Sequence, residues 1–296
     1  MPFLGELSAL LTAVCWSGSS LSFAEAAKRI GSVQLNISRL MLATIFLLVT
    51  IGVGRISTSL SASQVLFLVI SGMIGFVFGD TFLFKAYEEI GPRLTMLMMS
   101  GAPAVSAVLA FFFLGEVLPV WGVAGIGVTI AGIALVVLER PEAPTSSYII
   151  SKPGLVYGAL AALGQGVGLI FAKLAFDEGT INGFVATFVR VASATIVYVP
   201  LGFLTRRYKN PVEIFSRQRK AFGFTLLGAI LGPYLGVTFS LIAVANTKVG
   251  IAAALMATVP ILMLPLVRYI YKESFSWKAI AGAFVAVAGV AILFLR

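Results

Sequence analysis

"PAVSAVLAFFFLGEVLPVWG", residues 103–122, decides the fold. The run from Pro103 to Leu114 is apolar enough to sit in hydrocarbon, meets Glu116, and turns apolar again at once. A bilayer core of about 30 Å takes roughly 20 apolar residues per helical crossing. A single acid between two such runs therefore reads as a tight turn between two spans. Glu116 stands just ahead of a helix that Pro119 can open, and a carboxylate there faces unpaired amides and the positive end of the helix dipole. The other reading of such an acid is a proton-coupling carboxylate.

The rest of the chain agrees with a membrane setting. Of 296 residues, 59% are hydrophobic and 11% charged, whereas a soluble domain carries about 25% charge. Ten helical spans are expected, over 3–23, 33–52, 64–86, 93–114, 119–138, 154–176, 181–204, 221–244, 249–271 and 277–295. Barrel strands alternate over about ten residues and do not fit these long uniform runs. The net charge of +9 is accounted for by basic cytoplasmic loops, so no nucleic-acid partner is expected. Cys15 is the only cysteine and there is no histidine. That excludes an intrachain disulfide and histidine relays, and no metal or cofactor is expected. The N-terminus has no basic region ahead of its apolar run and reads as a first span rather than a cleaved signal.

Two polar stretches interrupt the spans. "ERPEAPTSSYIISKPG" (139–154) is a linker dividing a first unit, 1–138, from a second, 154–296. "TRRYKNPVEIFSRQRK" (205–220) carries six basic residues and suits a solvated loop touching anionic lipid. The two units repeat. At a shift of 157 residues Gly75 falls on Gly232, Gly79 on Gly236, Pro103 on Pro260, Glu116 on Glu273, Gly125 on Gly282 and Gly132 on Gly289. Arg39 falls on Arg190 at a shift of 151. Glu273 takes the same helix-turn role as Glu116. Five spans per unit is an odd number, so the second copy enters the membrane from the opposite side. Inverted repeats of this kind hold substrate between the halves near the midplane.

This doubled pattern resembles the drug/metabolite transporter superfamily, EamA type. An arginine in the second helix of each half (Arg39, Arg190) is followed by a proline in the fourth (Pro103, Pro260). Then come an "LGE"-like turn (114–116, and "YKE" at 271–273) and a Gly/Ala-rich fifth helix. The second copy departs from LGE. The resemblance spans nearly the whole chain and implies an all-α membrane protein of ten transmembrane helices in two inverted five-helix repeats. It also implies a permease of the prokaryotic cell (inner) membrane moving amino acids, other metabolites or toxic organics, commonly outward. Counting Lys and Arg gives fourteen in odd-numbered loops against four in even-numbered loops and termini. The positive-inside rule then puts both termini outside, while the resemblance implies both inside.

Charges within spans are functional candidates. Arg39 lies about 9 Å and Arg190 about 13 Å along their helices at 1.5 Å per residue. Asp80, whose counterpart is Val237, exits helix three on the side where helix two enters, so Arg39 and Asp80 are expected at similar depth, close enough to pair. "CWSGSS" (15–20) and "GQGVG" (164–168) loosen the first and sixth helices at matching places. Trp16, Ser17, Ser19 and Gln165 are therefore candidates to line a cavity, with Phe78, Tyr234 and Phe239 as aromatic candidates. Pro103, Pro233, Pro260 and Pro265 are candidate hinges. Asp80 first and Glu6 second could couple protons. Helices five and ten carry small residues and no charge inside the span, which suits scaffold packing or a homodimer surface.

No Walker motif is present, and "FGD" (78–80) lacks a second buried aspartate. "SGS" (17–19) has no histidine to activate a serine. The expectation is a secondary transporter and not an enzyme, with a small-molecule substrate and the lipid bilayer as its partners. A membrane sensor or scaffold without transport is the alternative.

Overall fold

A computed structural model describes residues 3–114, 117, 119–138, 151–247, 249–272 and 275–294. Glu116, Glu273 and most of the 139–153 linker lie outside the described residues. Among the described residues every regular element is helical. The first half runs α1 (Leu4–Ile30), α2 (Ser32–Gly54), α3 (Ala62–Gly72), a π-helical segment π1 (Met73–Gly79), α4 (Asp80–Met99), α5 (Ala102–Leu114) and α6 (Val120–Val137). The second runs α7 (Lys152–Asp177), α8 (Gly183–Leu204), the short α9 (Pro211–Arg217), α10 (Arg219–Ala229), π2 (Ile230–Gly236), α11 (Val237–Asn246), α12 (Val249–Met256), α13 (Val259–Tyr271) and α14 (Trp277–Phe294). Among the described residues, seven continuous helical stretches are long and apolar enough to cross a membrane, and there are shorter apolar helices besides.

Local chemistry sets the ends. Ser61 caps α3 with a capping box: its hydroxyl accepts from the Gln64 amide, and the Gln64 side chain accepts from the Ser61 amide. Ser151 and Asn182 cap α7 and α8 in the same side-chain manner. Gly31, at φ 78°, makes the sharp joint between α1 and α2, a conformation that suits glycine.

The repeat seen in sequence reappears as geometry. Both bounds of α3, π1, α5 and α6 recur 157 residues later as the bounds of α10, π2, α13 and α14. Two expected helices are each found broken. The 93–114 span divides at Ser100–Gly101 between α4 and α5, and the 249–271 span divides at Ala257–Thr258 between α12 and α13. Pro103 and Pro260 therefore occupy the second position of a new helix, where the missing amide would have been unpaired anyway. Hydroxyls cover part of the freed backbone: Ser100 Oγ donates to the Leu97 carbonyl at 2.6 Å, and Thr258 Oγ1 to Leu255 at 2.7 Å. The expected gap between 86 and 93 is also narrower, since helix continues to a single kink at Gly91, φ 75°. The 205–220 stretch is not all loop, because Asn210 caps α9 within it.

The halves interlock reciprocally. α1 packs on α10, π2 and α11, while α7 packs on α3, π1 and α4. Glycines permit both approaches: Gly164 sits against Gly79, and Gly236 sits against the Trp16 indole. α6 and α14 close the other side through Gly125, Gly132, Gly282 and Gly289. The small faces read as scaffold thus meet each other inside the chain, leaving Val123, Ile130, Leu135 and Phe284 on the outer surface.

A methyl on Gly289 would lie 2.3 Å from the Thr129 amide nitrogen, whereas one on Gly127 meets nothing within 4 Å. Gly289→Ala is therefore expected to lower stability by about 1–3 kcal/mol through overpacking. Gly127→Ala should be neutral, or stabilising by about 0.5–1 kcal/mol. Thermal unfolding of the two purified variants checks the contrast.

Candidate functional site

The site is built outward from π1. A π turn bonds i to i+5 and is poorer in geometry than an α turn, and such bulges often accompany functional sites. Here the Asp80 amide bonds to the Gly75 carbonyl. That carbonyl also accepts from Gln165 Nε2 at 3.1 Å, and the neighbouring Phe76 carbonyl accepts from Asn36 Nδ2 at 3.2 Å. Two side chains from different halves thus take up the displaced backbone.

The same two side chains hold a charged pair. Arg39 Nη2 donates to Asp80 Oδ2 in a salt bridge whose partners are each 4% exposed. Asn36 Oδ1 accepts from Arg39 Nε at 3.1 Å and from Nη2 at 2.9 Å. Gln165 Nε2 donates to Asp80 Oδ1 at 2.8 Å. Around the guanidinium stand the rings of Phe84 at 4.7 Å, Phe23 at 5.3 Å and Phe76 at 5.9 Å from Cζ, all within cation–π range. Ion pair, amides and rings together offset much of the desolvation that a buried charge suffers.

Beside this network lies a cavity of about 190 Å³. The first half contributes Trp16, Ser19, Phe23, Arg39, Asp80 and Pro103, and the second contributes Gln165, Pro233, Val237, Met256 and Pro260. Both broken helices reach its wall, through Ser100 and Ala102 on one side and Ala257 and Val259 on the other. Mostly apolar walls with a few convergent polar groups are the usual make-up of a small-molecule site, and non-helical backbone at membrane depth is tolerated where it lines a cavity.

Of the residues singled out in sequence, Trp16, Ser19, Arg39, Asp80, Gln165, Pro103, Pro233 and Pro260 come together here. Others lie elsewhere. Ser17 is buried and bonds back to Ala13 at 2.7 Å. Phe78 is 41% exposed, edge-on to Phe82. Tyr234 packs against Phe46 and Phe184, and its hydroxyl meets Thr50 at 2.8 Å. Phe239 is half-buried on α11, and Pro265 sits within α13. Glu6 accepts from Thr247 at 2.8 Å, near the start of α1. Arg190 is 5% exposed and lies next to the cavity wall, its guanidinium 5.0 Å from the Phe76 ring. Sequence reasoning missed Asn36. Its signal was there: a polar residue one turn before Arg39 shares that helical face.

Residues 3–138 and 152–295 each match the EamA-like transporter family. The chain belongs to this family. One relative, an uncharacterized transporter of Archaeoglobus fulgidus, is 21% identical over 289 residues, which are 98% of this chain and 97% of its own length. A crystal structure of a protein at 17% identity superimposes with a TM-score of 0.68 over 97% of this chain and 95% of that one, and so shares the fold. As an EamA-like transporter with long apolar helices, the chain is an integral multi-pass membrane protein of the prokaryotic cell membrane.

Removing one member of a buried ion pair costs about 3–5 kcal/mol. The loss should be unequal here. Arg39→Gln leaves Asp80 within electrostatic reach of Arg190, while Asp80→Asn leaves two buried guanidiniums with no acid. Asp80→Asn is expected to lower the thermal midpoint more than Arg39→Gln, and the double variant less than the sum of the two. A double-mutant cycle on purified protein measures all three.

Proposed function

We propose that this chain is a secondary transporter that carries a small metabolite, of the size of an amino acid, across the membrane by alternating access, working as an exporter. The reading takes ten crossings. They are α1, α2, α3 through α4 to the Gly91 kink, the broken α4–α5 segment, α6, and their five counterparts in the second half. An odd number of crossings per half inverts the second against the first, and the reciprocal packing of α1 on π2 and α7 on π1 supports that relation. The observation that carries the reading is the cavity itself. It lies between the halves, both broken helices end on it, and a buried ion pair forms its polar wall.

In this mechanism the substrate's polar group meets Arg39, Asp80 and Gln165, while its apolar part packs against Trp16, Phe23 and Met256. Rocking of one half against the other, with the breaks before Pro103 and Pro260 as pivots and Pro233 and Pro265 as further hinges, exposes the cavity to each side in turn. Asp80 is the acid placed to gain or lose a proton as the ion pair opens. No ATP site is needed, because a solute or proton gradient supplies the work.

Purified protein in liposomes tests this. Flux of labelled substrates from a panel of amino acids, other small metabolites and organic cations should appear for at least one class. Ala253→Phe, which places a ring in the cavity, should abolish that flux while the protein still purifies folded. A folded wild type moving none of the panel in either direction would favour the sensor or scaffold reading.

A further inference from the structure

Three charged side chains are buried in the described residues: Arg39, Asp80 and Arg190. Two are cations and one is an acid, so the interior holds one surplus positive charge. Asp80 already takes Arg39 at Oδ2 and Gln165 at Oδ1, and it acts on Arg190 only through its charge, with no hydrogen bond between them. Arg190 makes no side-chain hydrogen bond or ion pair among the described residues, and its Nε is fully buried with no partner. Its contact is with the face of Phe76, the ring that also meets Arg39 and lines the cavity. Glycines hold it there. A side chain at Gly72 would strike the Arg190 backbone carbonyl, and a methyl at Gly75 would lie 3.5 Å from Arg190 Nη2 and 3.7 Å from Gln165 Oε1.

A buried guanidinium is always charged, and leaving it without a counter-charge costs several kcal/mol. The second half supplies no acid for it: the position there that corresponds to Asp80 is Val237. We infer that Arg190 is the docking point for a monovalent anionic group, a carboxylate of the substrate or a small inorganic anion, which supplies the contacting counter-charge that the described residues do not place against it. This rests on the transporter reading above and deepens it: the substrate class becomes small organic anions or zwitterions, with the negative end toward Arg190 and the apolar body among the aromatic rings. A planar guanidinium presents its donors as a fork that matches a carboxylate.

The test is thermal unfolding of the purified full chain in detergent, in a zwitterionic buffer without added salt, with sodium chloride, acetate or benzoate added, or benzylammonium sulfate as the cation control. Chloride or a carboxylate should raise the midpoint of the wild type in a saturable manner, and benzylammonium should not. Benzoate acting where chloride does not identifies the substrate's own carboxylate as the source; chloride acting alone identifies an inorganic counter-ion. Arg190→Gln should weaken the anion response roughly 10- to 100-fold, as expected when a hydrogen bond to a charged group is lost. It should also raise the anion-free midpoint, because the surplus charge is gone. Arg190→Lys should keep part of the response. The inference is overturned if no anion stabilises the wild type, if anions stabilise wild type and Arg190→Gln alike, or if Arg190→Gln lowers the anion-free midpoint. Flux in liposomes without any anion-dependent stabilisation would refute this inference and leave the transporter reading standing.

Discussion

Every backbone amide and carbonyl at membrane depth must find its partner inside the protein, and the centre of this structure is arranged around that demand. The π1 segment displaces the carbonyls of Gly75 and Phe76 from regular α bonding. Gln165 and Asn36 accept the consequence by donating to them. These two amides have a second task each, since Gln165 also holds Asp80 and Asn36 also holds Arg39. The irregular backbone and the buried ion pair are therefore one network. An α-helical π1 would strip both amides of a partner and loosen the charged pair along with them.

The second constraint is close approach. α7 reaches π1 because Gly164 and Gly168 present no side chain to Gly79 and Gly75. α1 reaches π2 because Gly232 and Gly236 admit Phe23 and Trp16. The exchange is reciprocal in position but not in chemistry. The first half's π segment ends at Asp80 and gathers charges; the second half's ends at Val237 and gathers rings. A duplicated architecture has thus diverged into a polar wall and an apolar wall of one cavity, which suits a ligand with two unlike ends.

Much of this was legible in the sequence. Long apolar runs gave the helices, and the 157-residue shift gave the paired halves because glycines and prolines mark backbone events that both copies must share. Arg39 and Asp80 could be brought together from depth alone. Pro103 and Pro260 marked candidate hinges, but that the helices stop outright at Ser100–Gly101 and Ala257–Thr258 was not visible, because uniformly apolar sequence carries no period whose interruption would announce it. The aromatic candidates failed for a related reason. Phe78 and Tyr234 lie inside the π segments and Phe239 just beyond one; the extra residue of a π turn rotates the helix face by about a third of a turn, which ideal helical spacing does not show. Asn36 was passed over because a lone amide in a span draws less notice than a charge, although it is what orients Arg39.

The glycine seam between α6 and α14 has a mechanical consequence. Backbone there lies against backbone along both helices, with the Gly125 and Gly132 positions answered by Gly289 and Gly282. Such a joint has almost no side-chain cushion to shear or compress. In the rocking proposed above it would act as the spine of a bound book, keeping its alignment while displacement grows with distance from that edge.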